Sequence, residues 1–320
     1  MAEDRVVDWL LEASQPSVRY FTLVDILGRG GDDPAVRAAH ARIPRTGWAG
    51  EILASQGREG YWEAHPPRSV REWVNFLRFP PYRSSIWRGI VLSDLGLTAS
   101  DPRIRRFVDR VFEYMLPLNS FCNIYTEEVC IVGNVARMLN GFGYGDDRRV
   151  RKLYDWMIED QREDGGWNCA AGRPGTLDCW EALSAFAAVP KKRRSGAMQR
   201  AVDRGAEFYL ERKLFEEGRR YAPWFRFHYP RHYFYDVLVG LDVLTELGYG
   251  GDRRLDPALK VLRDKRRGDG TWTLDRVHPD EVPEGTARGR RPFTLERPGE
   301  PSKWITLTAL RVLKRVERAR

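Results

Sequence analysis

The stretch Met157-Ile-Glu-Asp-Gln-Arg-Glu-Asp-Gly-Gly-Trp167 decides how the rest of the chain is read, because it has two further copies. Upstream stands Ile52-Leu-Ala-Ser-Gln-Gly-Arg-Glu-Gly-Tyr-Trp62, and downstream Leu262-Arg-Asp-Lys-Arg-Arg-Gly-Asp-Gly-Thr-Trp272. Their closing tryptophans are 105 residues apart in both intervals. A second signal is Leu or Phe followed by Gly, then an Asp-Asp or Asp-Pro helix start with Arg close behind. It recurs near Gly28, Gly96, Gly143 and Gly248, and the last two are again 105 residues apart. Recurrence at a fixed period is the signature of stacked supersecondary units. From Gly96 to Gly143 is 47 residues, so the unit is about two helices long, with the tryptophan turn kept in alternate units.

Each unit has a physical reading. In Asp101-Pro102-Arg103 the aspartate caps free amides and the proline sits in the first turn. That helix is rich in charge and ends in a Gly-containing turn. The next helix is more apolar and ends at Leu-Gly or Phe-Gly, where glycine supplies a left-handed cap. Alternating polar and apolar helices suit an outer and an inner ring, since inner helices are buried on more sides. Outer helices are expected at about 3–13, 34–55, 101–116, 146–160, 196–214 and 253–265. Inner helices are expected at about 17–27, 83–95, 126–142, 176–188, 232–247 and 301–316. The expectation is an all-α (α/α)6 barrel, a toroid, forming one domain over residues 1–320. Its longest non-periodic stretch, 275–301, carries Pro279, Pro283, Pro292 and Pro298 and reads as a lid, a binding loop or a disordered segment.

Composition narrows the class. Hydrophobic residues make up 42 % of the chain and charged residues 31 %, enough apolar material for a large core. No apolar run reaches the length of a membrane span. The start Met1-Ala2-Glu3-Asp4-Arg5 lacks the order of a signal peptide, so a cytoplasmic protein is expected. Cys122, Cys130, Cys169 and Cys179 are too few to read as a disulfide framework. The net charge of +8, with Lys191-Lys192-Arg193-Arg194 as its strongest block, fits a solubilising surface and leaves open an acidic lipid surface or a phosphorylated substrate. No sequence-reading motif points to nucleic acid. Serine-elbow, phosphate-loop and dinucleotide fingerprints are also absent from the sequence.

The turn at 161–167, with Trp156 five positions before Gln161, resembles the QW motif of squalene and oxidosqualene cyclases. The other copies are degenerate, with Lys265 read in the glutamine's place in the last. A similar toroid occurs in protein prenyltransferase β-subunits. This resemblance implies that Gln161 and Trp167 staple neighbouring outer helices. The Asp-x-Asp-Asp acid of the hopene-forming cyclases is missing. Asp178-Cys179-Trp180-Glu181 looks like a shortened form of the oxidosqualene cyclase acid motif, and coincidence is an open alternative. By comparison with the prenyltransferases, Asp178, Cys179 and His232 would be the ligands of a zinc ion. Adjacent residues on a helix point about 100° apart, so joint ligation by Asp178 and Cys179 is awkward. The expectation is therefore no cofactor.

Polar groups gather at the expected inner-helix starts: Glu127, Glu128, Asp178, Glu181 and Asp236, with His228 and His232 just upstream. Carboxylates there either cap helix N-termini or form a site. Asp236, read as lying a turn inside an aromatic run, would be partly desolvated and its pKa raised. Aromatics concentrate around Tyr221, Trp224, Phe225, Phe227, Tyr229, Tyr233, Phe234 and Tyr235, and either line a pocket or fill the ring. The resulting expectation is a toroid that holds an apolar, isoprenoid ligand and cyclises or isomerises it by acid catalysis. Asp178 and Asp236 would be the acids and Glu181 and Glu128 supporting carboxylates. Trp180, Tyr233, Tyr235, His228, His232 and Trp224 would contact the ligand. The alternatives are a zinc-dependent prenyltransferase-like enzyme and a non-catalytic binding or scaffold toroid.

Overall fold

The structure is a computed structural model that describes residues 2–63, 69, 72, 84–114, 128–216, 218, 220–232, 234–277 and 295–320. Tyr233, Glu127, Cys122 and most of the proline-rich stretch, 278–294, lie outside the described residues. Regular structure among the described residues is helical, and the β-type pairing consists of isolated bridges, His228 with Arg276 and Thr273 with Pro301. None of these helices is long and apolar enough to cross a membrane. The chain divides into two compact units, one built from residues 1–50, 206–278 and 294–320 and the other from 51–205 and 279–293.

The first unit contains α1 (Ala2–Leu10), α2 (Pro16–Phe21) and α3 (Pro34–Arg42), and it includes the start of α4 (Gly47–Ala54). The second contains α5 (Ser85–Asp94), α6 (Pro102–Tyr114), α7 (Val129–Leu139), α8 (Arg148–Glu159) and α9 (Glu181–Ala187), and it includes α10 (Gly196–Glu211) up to Gly205. The first unit is completed by α11 (Val237–Leu247), α12 (Asp256–Asp264) and α13 (Lys303–Ala319). Three helices differ from the sequence reading by a break or by five residues, one being the inner helix expected from 176, which begins only at Glu181 and leaves Asp178 and Cys179 ahead of it. The expected helix at 34–55 is broken into α3 and α4, because Pro44 lacks an amide hydrogen and Gly47 takes φ +68°. The inner helix expected from 232 begins only at Val237, with Asp236 as its cap rather than a turn inside it.

The repeat is visible in hydrogen bonds. Trp62, Trp167 and Trp272 each donate the indole N–H to a carbonyl ten residues back, on Ile52, Met157 and Leu262, at 2.8 Å in every case. Gln56 donates to Gly60 O (3.1 Å) and Arg103 O (3.2 Å), and Gln161 to Gly165 O (2.8 Å) and Ala201 O (2.9 Å). In the third copy the residue in the glutamine's place is Arg266, not Lys265, because Arg266 makes the equivalent bond to Gly270 O at 3.3 Å. The first two turns therefore tie the end of their own helix to another helix, α4 to α6 and α8 to α10. Gly165 is required at its position: φ is +88°, and a Cβ there would stand 2.5 Å from Arg204 O.

Helix starts repeat in the same way. Asp101, Asp147 and Asp252 each accept the backbone N–H two residues on, from Arg103, Arg149 and Arg254, and each pairs with that arginine's guanidinium. The Leu-Gly and Phe-Gly ends are left-handed at Gly28, Gly96, Gly143 and Gly248. In the second unit α7 packs on α5 and on α9. Gly133 sets that last approach, since a Cβ on it would meet the Glu181 backbone at 2.6 Å. Trp167 is fully buried in the same unit beside Phe186 of α9 and Gly205 of α10. In the first unit α13 packs against α11 and α2, and the third turn, at Gly270, lies against Val6 of α1.

Candidate functional site

The predicted site residues fall into two groups, one in each unit, and their environments differ sharply. In the second unit the decisive residue is Glu181, the first residue of α9. The close approach at Gly133 packs α9 tightly on α7, and Glu181 is completely buried there. Neither carboxyl oxygen has a hydrogen-bond partner among the described residues. Burial, followed by the negative charge of Cys169, pushes its pKa well above the ordinary glutamate range. Arg137, a cation that acts on it, is already committed to an ion pair with Asp94 and a 3.1 Å bond to Asn134 Oδ1. Desolvation of this kind disfavours the charged form of the carboxyl group.

Trp180 precedes it and is 1 % exposed, with an indole N–H that also has no partner among the described residues. The Arg137 guanidinium carbon lies 5.9 Å from its ring centroid. Asp178, two residues earlier, is exposed to solvent, so it lacks the desolvation an acid role requires. Glu128 is half-buried at the cap position of α7. Asp160, at the end of α8, has its pKa raised to about 6, chiefly by burial.

Three thiols collect beside Glu181, and it is the fold that brings Cys130 to the Cys169–Cys179 pair. Cys179 donates to Cys169 at an Sγ–Sγ distance of 3.8 Å. Hydrogen bonding from Cys130, then from Cys179, holds the Cys169 thiol well below the usual range, while the same bonds and burial push Cys130 and Cys179 up. A contiguous sequence signal did exist: Cys169 and Cys179 bracket a short Gly-Pro-containing loop.

In the first unit Asp236 is the N-cap of α11. Its carboxylate accepts the Val239 N–H (2.9 Å), the His228 N–H (3.1 Å) and a contact from His228 Nδ1 (2.7 Å). The sequence reading expects a desolvated acid at this position. Asp236 is indeed buried, at 1 % exposure, but its oxygens are engaged by a helix terminus and an imidazole. His228 Nε2 faces Arg231 O at 3.3 Å, so the ring is held at both nitrogens. His232 is buried with φ +47°, a backbone region non-glycine residues rarely adopt. Tyr235 donates its hydroxyl to Leu214 O (2.8 Å) and packs against Trp224 at a centroid distance of 5.8 Å, so both have packing duties. Tyr229, stacked on Trp304 at 4.6 Å and 18°, is a further aromatic pair formed by residues far apart in sequence.

Asp178 and Cys179 belong to one unit and His232 to the other. Among the described residues no group of three or more His, Cys, Asp or Glu side chains could hold a metal ion.

Comparison with known proteins adds little to this geometry. No family model matches the chain, and no curated protein matches it. Among solved structures, a crystal structure of a protein from Actinoplanes is 15 % identical, covers 96 % of this chain and 90 % of its own, and superposes with a TM-score of 0.45. Among the described residues, the fold and site together define a helical repeat protein with a buried carboxyl group that has no hydrogen-bond partner there.

Proposed function

We propose that the chain is a stand-alone (α/α)6 toroid, one domain similar in plan to terpene cyclases, that binds an apolar isoprenoid and rearranges it by acid catalysis with Glu181 as the acid. The observation that carries this is the environment of Glu181, buried at a helix start with no partner among the described residues and with its pKa pushed well up by burial. A proton passes from Glu181 to an alkene carbon and leaves a carbocation. The π face of Trp180, the neighbouring residue in sequence, would stabilise it. Loss of a proton from a neighbouring carbon then restores the acid, so cyclisation or isomerisation consumes nothing.

Support for the toroid comes from each unit separately. Inner helices follow one another, α5 to α7 to α9 in one unit and α11 to α13 to α2 in the other. The contact of the last tryptophan turn with α1, and of α13 with α2, is the step that closing a ring needs.

The non-catalytic alternative has one specific observation in its favour: Asp236 and His228 satisfy each other and a helix end, as structural groups do. The zinc-dependent alternative keeps only the resemblance. The discriminating experiment incubates the protein with squalene and with linear polyprenyl diphosphates and analyses products by mass spectrometry, alongside extraction of co-purified small molecules. Turnover reduced by about 100-fold or more in Glu181→Gln is expected, with helical content unchanged. Equal turnover by wild type and Glu181→Gln would remove Glu181 from the chemistry. Failure to turn over any of these substrates, with an isoprenoid still captured, would favour the binding protein.

A further inference from the structure

Beside the acid stands a group of thiols that the proposed rearrangement does not use. We propose that Cys169 and Cys179 are a peroxide-reactive dithiol, Cys169 being the attacking sulfur and Cys179 the sulfur that resolves it. The inference is independent of the reading of Glu181 as a catalytic acid.

Geometry carries it. The two sulfurs are 3.8 Å apart, and a disulfide needs about 2.0 Å. Rotation of the thiol side chains closes part of the difference, and the intervening segment, which no helix holds, can supply the rest. Residues 170–174 are exposed, contain Gly172 at φ +70° and belong to no helix. Cys130 is the other thiol bonded to Cys169, but it lies on α7, whose packing against α9 fixes its backbone. Cys130 therefore serves as a hydrogen-bond donor rather than as a disulfide partner. Cys169 is only partly covered, whereas Cys179 is 6 % exposed. An oxidant from solvent thus meets Cys169 first. Donors on both sides keep the Cys169 sulfur as thiolate, the reactive form.

The chemistry balances with a hydroperoxide as oxidant. The Cys169 thiolate attacks one oxygen of hydrogen peroxide, the O–O bond breaks, and hydroxide leaves, giving the sulfenic acid. The Cys179 sulfur then attacks the Cys169 sulfur, and the sulfenic oxygen departs as water with the Cys179 proton. Two thiols are oxidised and one peroxide is reduced to two equivalents of water once hydroxide takes up a proton. A dithiol reductant reverses the disulfide.

The test uses the full chain and hydrogen peroxide, followed by alkylation, tryptic digestion and mass spectrometry. Arg173 precedes Pro174 and resists trypsin, so Cys169 and Cys179 fall in one peptide, Glu163–Lys191, separate from Cys122 and Cys130. The expected product is that peptide lighter by two hydrogens and closed to alkylation, while Cys130 remains alkylated. Cys169 should react on the order of tenfold faster than an unstructured cysteine peptide. Cys179→Ser should stop at a Cys169 sulfenic acid that dimedone traps, and Cys169→Ser should abolish the fast reaction. The wild-type rate needs no variant, so a misfolded mutant cannot hide the answer. Oxidation appearing first at Cys130, a Cys169 rate no faster than the peptide's, or thiols that react only after a chelator removes a bound metal would each overturn the proposal.

Discussion

Glu181 and Asp236 occupy the same kind of place, the first turn of an apolar helix, and the protein treats them in opposite ways. Asp236 is the cap of α11, with two backbone amides and an imidazole on its oxygens. Glu181 sits one position inside α9, where its carboxyl group points into packed structure and meets no donor among the described residues. One residue of register separates a carboxyl group that caps a helix from one buried with no donor among the described residues. A group buried at a net cost is where function is to be sought, because nothing in folding alone retains it.

The comparison can be tested by the sign and size of substitutions. Trp167→Ala sets the scale: emptying this fully buried site should cost about 3–5 kcal/mol in denaturant unfolding. Asp236→Ala should come next, at about 3 kcal/mol, because it leaves His228 buried beside a lost cap. A loss below about 1 kcal/mol would show that the capping network carries little. Glu181→Met should move the other way and raise stability by about 1–2 kcal/mol near pH 8, since it removes an unpaired buried polar group.

The pH dependence follows from the same shift. The folded pKa of Glu181 lies above its unfolded value, near 4.5, so the unfolded chain releases the proton first as pH rises. Its contribution is fully present below pH 4.5 and is lost as pH climbs through the folded pKa. The stability gap between Glu181→Gln and wild type should therefore widen from acid to alkaline pH. A gap independent of pH would mean that Glu181 does not carry a raised pKa. The smallest effect belongs to Asp178→Asn, within about 0.5 kcal/mol, as expected for an exposed position.

The helical class and repeat positions were legible in the sequence because they depend on local chemistry. Gly143 and Gly248 end helices where a left-handed residue is needed, and Asp147 and Asp252 begin them where amides need an acceptor. The tryptophan turns were legible for the same reason. Register was harder to read: Asp236 was placed a turn too deep, and the last glutamine position was assigned to Lys265 instead of Arg266. The cap bond that fixes Asp236 is not visible in composition, whereas counting six residues back from Trp272, as from Trp62 and Trp167, gives Arg266 from the sequence itself. The site was legible by neighbourhood only. The tetrapeptide Asp178-Cys179-Trp180-Glu181 was singled out, but burial divides it, leaving Asp178 in solvent and Glu181 in the core. The meeting of Cys169 with Cys130 depends on how the loop after Trp167 returns to α7, a tertiary fact with no local signature.

The central claim is that Glu181 is a carboxylic acid, not a carboxylate, at neutral pH. Infrared difference spectroscopy between wild type and Glu181→Gln near pH 7 tests it most directly. The account predicts the C=O stretch of one protonated carboxyl group in wild type, shifted by deuterium exchange and missing in the variant. A difference spectrum containing only carboxylate bands would contradict it.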